Sequence, residues 1–224
     1  MGQAIGGVLP LAIGVAISVL PIIAIILMLI TPRARSNGIA FVAGWVLGLV
    51  VVGGVVLVIA NAAGVSSSSG PSTAAYAIKL TLGAAFLLLA VRQWRSRPAP
   101  GEHSPAPKWM AALDSFGSGK SLGLGAALSG VNPKNLVLTV GAAASIAQAG
   151  LPGGQQAGVL AVFIVLGTLA VAAPLVVYLA MGPRAASILD GWRTWLAGNN
   201  AAIMMVLFLV FGVLLVGQGI AGLS

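Results

Sequence analysis

The residues best suited to chemistry lie together in one stretch, Asn132-Pro133-Lys134-Asn135. It combines an ammonium and two amides with a proline, which cannot complete a helical hydrogen-bond ladder. The stretch lies inside a long apolar segment, and counting from residue 121 puts Lys134 ~20 Å along a helix, near a bilayer centre. A charged lysine there costs several kcal/mol unless it is paired or hydrated. We therefore predict a binding site; the structural alternative is a lysine that snorkels along a distorted helix.

Other polar and helix-breaking residues complete the predicted substrate-binding set. Ser18 and Pro21 lie in the first apolar segment, and Pro133 is expected to free a backbone carbonyl near Ser129. Lys79 lies near one end of the third apolar segment. Its position is as compatible with snorkelling to the surface as with a role in binding. Two lysines facing one cavity, with no Asp or Glu in any apolar segment, would favour an anionic group.

Several classes of protein are excluded by composition. The chain has no cysteine and one histidine, which removes disulfides, thiolate metal sites and iron–sulfur chemistry. No nucleophile, base and orienting group occur in a usable pattern. The net charge of +8 comes from basic residues beside apolar segments, which indicates membrane topology rather than nucleic-acid binding. We expect no enzyme activity, metal, cofactor or nucleic-acid partner.

The elements that must position these residues are membrane helices. Of the 224 residues, 59% are hydrophobic and 6% are charged, whereas about a quarter of a soluble domain is charged. The apolar residues form stretches of the ~20 residues that cross a bilayer. We predict an all-α, multi-pass plasma-membrane protein with six transmembrane helices, at residues 6–30, 38–62, 74–95, 121–148, 155–181 and 200–220.

The basic residues give these helices a direction. Apart from Lys79 and Lys134, all of the eleven Lys and Arg lie in or beside the connections that follow the first, third and fifth helices. Because cytoplasmic loops retain Lys and Arg, both termini are predicted to lie outside the cell.

The chain also contains a candidate internal repeat. Ser18-Val19-Leu20-Pro21 in the first helix corresponds to Gly130-Val131-Asn132-Pro133 in the fourth, at half the chain length. Three helices in each half would insert the second half upside down, as in many secondary transporters, although membrane helices also tolerate prolines for structural reasons. The predicted organisation is a first three-helix repeat at 1–96, a proline-rich cytoplasmic linker at 97–120 and a second, inverted repeat at 121–224, in a single membrane domain.

One glycine pattern predicts a helix contact, and another supports the internal repeat. Gly44 and Gly48 form a GxxxG spacing, which more often marks close packing within a chain than a dimer interface. The segments beginning at Gly83 and Gly212 correspond loosely between the third and sixth helices.

Several of these motifs carry a family resemblance. They are Leu9-Pro10-Leu11-Ala12-Ile13-Gly14, Pro21, Thr31-Pro32-Arg33-Ala34-Arg35, Gly44-Trp45 and Asn132-Pro133-Lys134. They resemble the LysE superfamily, and within it are most similar to the mycobacterial GAP group, also called Sap or sulfolipid- and peptidoglycolipid-addressing proteins. The resemblance implies two inverted three-helix repeats and outward movement of a glycolipid or related envelope molecule. Amino-acid exporters of the superfamily often carry acidic residues near their first motif, which this sequence lacks.

Three functional hypotheses follow. The leading one is an exporter in which Lys134 and Asn132 hold the anionic or polar headgroup of a membrane glycolipid. The second is an exporter of a small soluble metabolite, and the third is a non-transporting scaffold of a lipid-export machine. Partners would be the lipid substrate, possible export machinery and possible further copies of the chain.

Overall fold

The computed structural model describes residues 1–63, 73–95, 113 and 115–221, and these ranges consist of helices joined by short turns, with no strand. The helices are α1 (Gly2–Ala16), α2 (Val19–Leu29), α3 (Ala34–Ala62), α4 (Thr73–Arg95), α5 (Ser118–Gly130), α6 (Pro133–Gln148), α7 (Gly153–Met181) and α8 (Ala185–Ala221). A 3₁₀ turn at Gly182–Arg184 joins α7 to α8. The predicted all-α class is confirmed, whereas most of the linker at 97–120 lies outside the described residues.

Some of these helices are long and apolar enough to cross a membrane. Among the described residues, α3 and the run Gly153–Ala221 pass on length and composition, and α1 and α2 pass only as a pair, bent by 51°. In the fourth predicted span, α5 has 13 residues and α6 has 16, each fewer than the ~20 that a straight crossing needs. The structure thus supports two or three candidate spans, and the count of six stays a prediction.

The helices form two compact units. The first contains α1–α3, α5–α7 and the beginning of α8, and the second contains α4 and α8 from Trp195 onward. Each unit draws helices from both halves of the chain, as two interleaved repeats would. The boundaries at 1–96, 97–120 and 121–224 describe the repeat and stay a prediction.

The short helix α2 is the most enclosed element of the first unit. Nine of its eleven residues are buried, including Pro21 and a run of isoleucines. A helix that is apolar on every side needs apolar surroundings on every side, and α2 finds them against α3 and α7. The second half of the first predicted span, which is α2, therefore lies in the core of the first unit.

Small residues allow α3 and α5 to cross with their backbones in contact. A Cβ atom on Gly44 would overlap the carbonyl oxygen of Leu122, and one on Gly125 would overlap that of Phe41. A Cβ on Gly48 would likewise overlap the hydroxyl of Ser129. The packing role predicted for Gly44 and Gly48 is confirmed, with α5 as the partner.

Amide side chains fix both ends of α3. At its beginning, Asn37 Nδ2 donates to the Phe116 carbonyl at 2.9 Å. At its end, Asn61 Nδ2 donates to Gln156 Oε1 at 2.8 Å, and Gln156 Nε2 donates to the Leu151 carbonyl at 2.8 Å. In an apolar environment such bonds are costly to break, so they hold α3 against α7 and against the segment that precedes α5.

The second unit is a close helix pair. A Cβ on Gly83 would lie 3.0 Å from the Gly212 carbonyl oxygen, and one on Gly212 would lie 3.1 Å from that of Gly83. Phe86 and Phe208 stack with their ring centroids 5.6 Å apart. The two glycines that the repeat pairs in sequence thus contact each other reciprocally.

The α3–α5 crossing makes a prediction about stability. Gly125→Ala adds a methyl group where the Phe41 carbonyl lies, so we expect a loss of about 2 kcal/mol in the free energy of unfolding, or a failure to fold. Gly123→Ala is the matched control two residues away, because its Cβ would meet nothing within 4 Å. It should be neutral or slightly stabilising. Reversible unfolding in detergent micelles measures both, and equal effects would contradict the crossing.

Candidate functional site

The first predicted helix is interrupted between α1 and α2. Ile17, with φ −80° and ψ 66°, forms an inverse γ-turn in which the Ser18 amide donates to the Ala16 carbonyl at 2.8 Å. Ser18 is extended, and α2 begins at Val19. Pro21 is the third residue of α2, where an amide donor has no partner within the helix. The break therefore precedes Pro21 by three residues, and the proline is compatible with the new helix.

The break leaves the last carbonyl groups of α1 to be paired from outside the helix. Three donors lie in the turn itself. Ile17 N, Ser18 N and Ser18 Oγ donate to the carbonyls of Ile13, Ala16 and Val15 at 3.0, 2.8 and 2.7 Å. The Gly14 carbonyl accepts from Lys134 Nζ at 2.8 Å. The end of α1 is thus completed by a side chain 120 residues further along the chain.

Lys134 uses all three of its ammonium protons at this break. Besides Gly14, Nζ donates to the Ile17 carbonyl at 2.9 Å and to Ser18 Oγ at 3.0 Å. The partial negative charge at the C-terminal end of α1 favours a cation there. Asp190, the one acidic residue in the described ranges, pairs with Arg193 at 2.7 Å. The ammonium is therefore held by neutral oxygens.

The fourth predicted helix is interrupted in the same way, between α5 and α6. Asn132 caps α6, with its side-chain oxygen accepting from the Lys134 amide at 3.1 Å, and Pro133 occupies the first helical position. Both residue types are favoured at these positions. α5 ends at Gly130, so Ser129, where Pro133 was expected to free a carbonyl, lies in the last turn of α5, and carbonyls there lack partners within the helix.

Asn135 joins the two breaks. Its Nδ2 donates to the Leu128 carbonyl near the end of α5 at 3.0 Å, and its Oδ1 lies 3.1 Å from Ser18 Oγ. Asn135 is 0% exposed and Ser18 is 2% exposed. The single Ser18 proton can serve Asn135 or the Val15 carbonyl, but not both at once, so the hydroxyl can switch between them while it accepts from Lys134.

The other predicted site residues lie elsewhere. Ser129 Oγ donates to the Ala126 carbonyl at 3.1 Å and packs on Gly48 of α3. Pro21 is buried in the first turn of α2. Lys79 is part of α4, but its side chain lies outside the described residues. The residues that meet at the breaks are therefore Ser18, Lys134 and Asn135, with Asn132 and Pro133 beginning the helix that carries the last two.

Sequence reasoning missed the acceptors of the site. The carbonyls of Gly14 and Ile17 belong to the backbone, and no side-chain pattern identifies them. Thr139 was also missed, although it follows Asn135 by one helical turn. Its hydroxyl is fully buried and has no hydrogen-bond partner among the described residues. A polar residue at this i+4 spacing from Asn135 was the available signal.

Asn135 supplies a test of the link between the breaks. Asn135→Leu keeps the branched shape of the side chain but removes both hydrogen bonds, so the free energy of unfolding should fall by about 1–3 kcal/mol. Ser145→Ala, on the same helix, removes an exposed bond to the Gly141 carbonyl and should change it by less than about 0.5 kcal/mol. Unfolding measurements on both variants compare them, and an Asn135→Leu variant as stable as the control would contradict the link.

Comparison with known proteins identifies the family. The family described as Sap, sulfolipid-1-addressing protein, matches residues 8–221, a range that includes both breaks and every residue that pairs with Lys134. No curated protein and no solved structure matches the chain significantly. The family match confirms the resemblance seen in the first-helix motifs and in Asn132-Pro133-Lys134. Because the match covers nearly the whole chain, this protein is a member of the Sap, sulfolipid-1-addressing protein family.

Proposed function

We propose that this protein exports an anionic or polar envelope lipid across the plasma membrane, with the paired helix breaks as its central site. The observation that carries the proposal is the contact of Lys134 with three oxygens at the α1–α2 break. The family name, sulfolipid-1-addressing protein, supports an anionic lipid as the cargo. A sulfate or phosphate headgroup would satisfy the cation better than neutral oxygens do, because charge-assisted hydrogen bonds are the stronger kind.

The proposed topology is six spans in two inverted three-helix repeats. Each half of the chain has the same order of helices, which supports the repeat. A broken helix comes first, as α1–α2 and α5–α6. A helix of 29 residues follows in each half, as α3 and α7. The third helices, α4 and the end of α8, touch reciprocally at Gly83 and Gly212, as elements related by a two-fold axis would.

The proposed mechanism uses the exchange of hydrogen-bond partners at Lys134. An anionic headgroup that reaches Nζ would replace the Ile17 carbonyl or Ser18 Oγ. Because those bonds hold the end of α1 against the beginning of α6, their loss would loosen one break from the other. A ligand shifts a conformational equilibrium only through such a difference in contacts. Headgroup binding would thereby favour rearrangement of the broken helices around a midplane site.

One observation favours a second candidate, the accessory scaffold. All three protons of Lys134 are already paired within the chain, which is what a purely structural lysine requires. Under this reading the breaks are fixed joints, and lipid moves through another protein of the export machinery.

Reconstitution of the purified protein alone into liposomes separates these candidates. A fluorescent sulfated glycolipid should equilibrate between the leaflets, as measured by bleaching of the outer label with a membrane-impermeant reductant. Lys134→Met removes the ammonium but keeps a long side chain. It should slow this movement by about tenfold or more, because a charge-assisted hydrogen bond to the headgroup is lost. Lys120→Met is the matched control, because Lys120 is exposed at the beginning of α5 and lies 5.7 Å from the Phe116 ring.

Three outcomes would contradict the proposal. Unchanged lipid movement in the folded Lys134→Met protein would mean that Lys134 does not bind the lipid during transport. Movement of soluble amino acids in place of lipid would favour the small-metabolite exporter. No movement of either by the folded wild-type protein would favour the scaffold.

A further inference from the structure

An apolar groove runs along the face of α3 that turns away from the glycine crossing. Its volume is about 530 Å³, and its lining is almost entirely apolar. The lining residues are Ile39, Val42, Ala43, Val46, Leu47 and Val50 from α3, with Leu175 from α7. Their spacing of three and four places them on one stripe of the helix. Gly44 and Gly48, between them in sequence, contact α5.

The length of the groove matches one leaflet of a membrane. From Ile39 to Val50 the helix rises ~16 Å at 1.5 Å per residue. This is about half of the ~30 Å hydrocarbon core. A groove of this length, open along its side and without polar lining, suits one extended acyl chain.

A cation lies beyond one end of this stripe. Arg35 is exposed and precedes Ile39 by one helical turn, so it lies on the same face of α3. Helical side chains point toward the helix N-terminus, which directs its guanidinium away from the apolar lining. Arg33 differs, because its Nη1 lies 3.6 Å from where a Cβ of Gly117 would be, toward the start of α5.

No acidic side chain in the described ranges neutralises Arg35. Asp190 is the one carboxylate there, and it pairs with Arg193 at 2.7 Å. An exposed guanidinium at the end of an apolar groove is complementary to a lipid with a negative headgroup, because the planar guanidinium can bind two phosphate or sulfate oxygens together.

We propose that this groove binds an anionic membrane lipid, with one acyl chain along α3 from Ile39 to Val50 and the headgroup on Arg35. The site is separate from Lys134 and goes beyond the proposed function, since binding here requires no transport. It gives the chain a fixed lipid ligand on the face of α3 opposite the α5 crossing. If no lipid binds in this groove, the proposal that lipid moves through the helix breaks still stands.

Photolabelling tests the site in the full-length protein. The probe is phosphatidylglycerol with a diazirine in one acyl chain, added to protein in detergent micelles, and the labelled peptides are mapped by mass spectrometry. Labelling should concentrate at residues 39–50 and exceed that by the matching phosphatidylcholine probe by about fivefold, as expected for one basic residue near an anionic headgroup. Arg35→Gln should remove this preference, and Arg35→Lys should largely keep it.

Two further variants control the measurement. Arg92→Gln removes an exposed arginine of α4 and should leave the labelling of residues 39–50 unchanged. Val46→Trp fills the groove and should lower labelling by both probes without removing Arg35. Equal labelling by the two probes, or labelling unaffected by Arg35→Gln, would overturn the proposal in favour of ordinary annular lipid. Cross-linking of residues 39–50 to a second copy, in place of lipid, would overturn it in favour of a dimer interface.

Discussion

An ammonium group taken out of water needs an acceptor for each of its protons, and in this protein that requirement joins two distant parts of the chain. Lys134 finds its acceptors at Gly14, Ile17 and Ser18, at the end of a helix whose own carbonyls need donors. Each side satisfies the other. Without the α1–α2 break the ammonium would lack these acceptors, and without the lysine the Gly14 carbonyl would lose its donor. The two interrupted helices are therefore stable together.

Other contacts in the first unit hold the two helix breaks in place. Asn135 binds the end of α5 and lies within hydrogen-bond distance of Ser18, so α6 contacts both breaks with consecutive residues. Glycines bring the α5 backbone against α3, and hydrogen bonds from asparagine side chains fix the two ends of α3. In a membrane, where lipid is as apolar as leucine, close packing and buried hydrogen bonds replace the hydrophobic effect between helices. The polar groups near the breaks therefore contribute to the stability of the helix packing.

The sequence predicted the chemistry of the site better than its geometry. Lysine and asparagine among apolar residues identified Lys134 and Asn135, because buried polar groups are rare and must be paired. Pro21 and Pro133 indicated interruptions, but each proved to lie at the start of a new helix, since proline fits the first turn and not the interior. The position of Ser129 against Gly48 could not be predicted, because a small helical residue can face either a site or a packed neighbour. The acceptors at Gly14 and Ile17 are backbone atoms and leave no pattern. The six-span count rests on apolar stretches alone, and α5 and α6 show that such a stretch can contain two short helices.

The pairing of the two breaks can be measured directly with a double-mutant cycle between Ser18 and Lys134. The free energy of unfolding is determined in detergent micelles for the wild-type protein, Ser18→Ala, Lys134→Met and the double variant. If Lys134 holds the α1–α2 break through Ser18, the double variant should lose less stability than the two single variants together, by about 1 kcal/mol or more. Effects that add to within about 0.5 kcal/mol would mean that the two residues act independently, and would contradict the account.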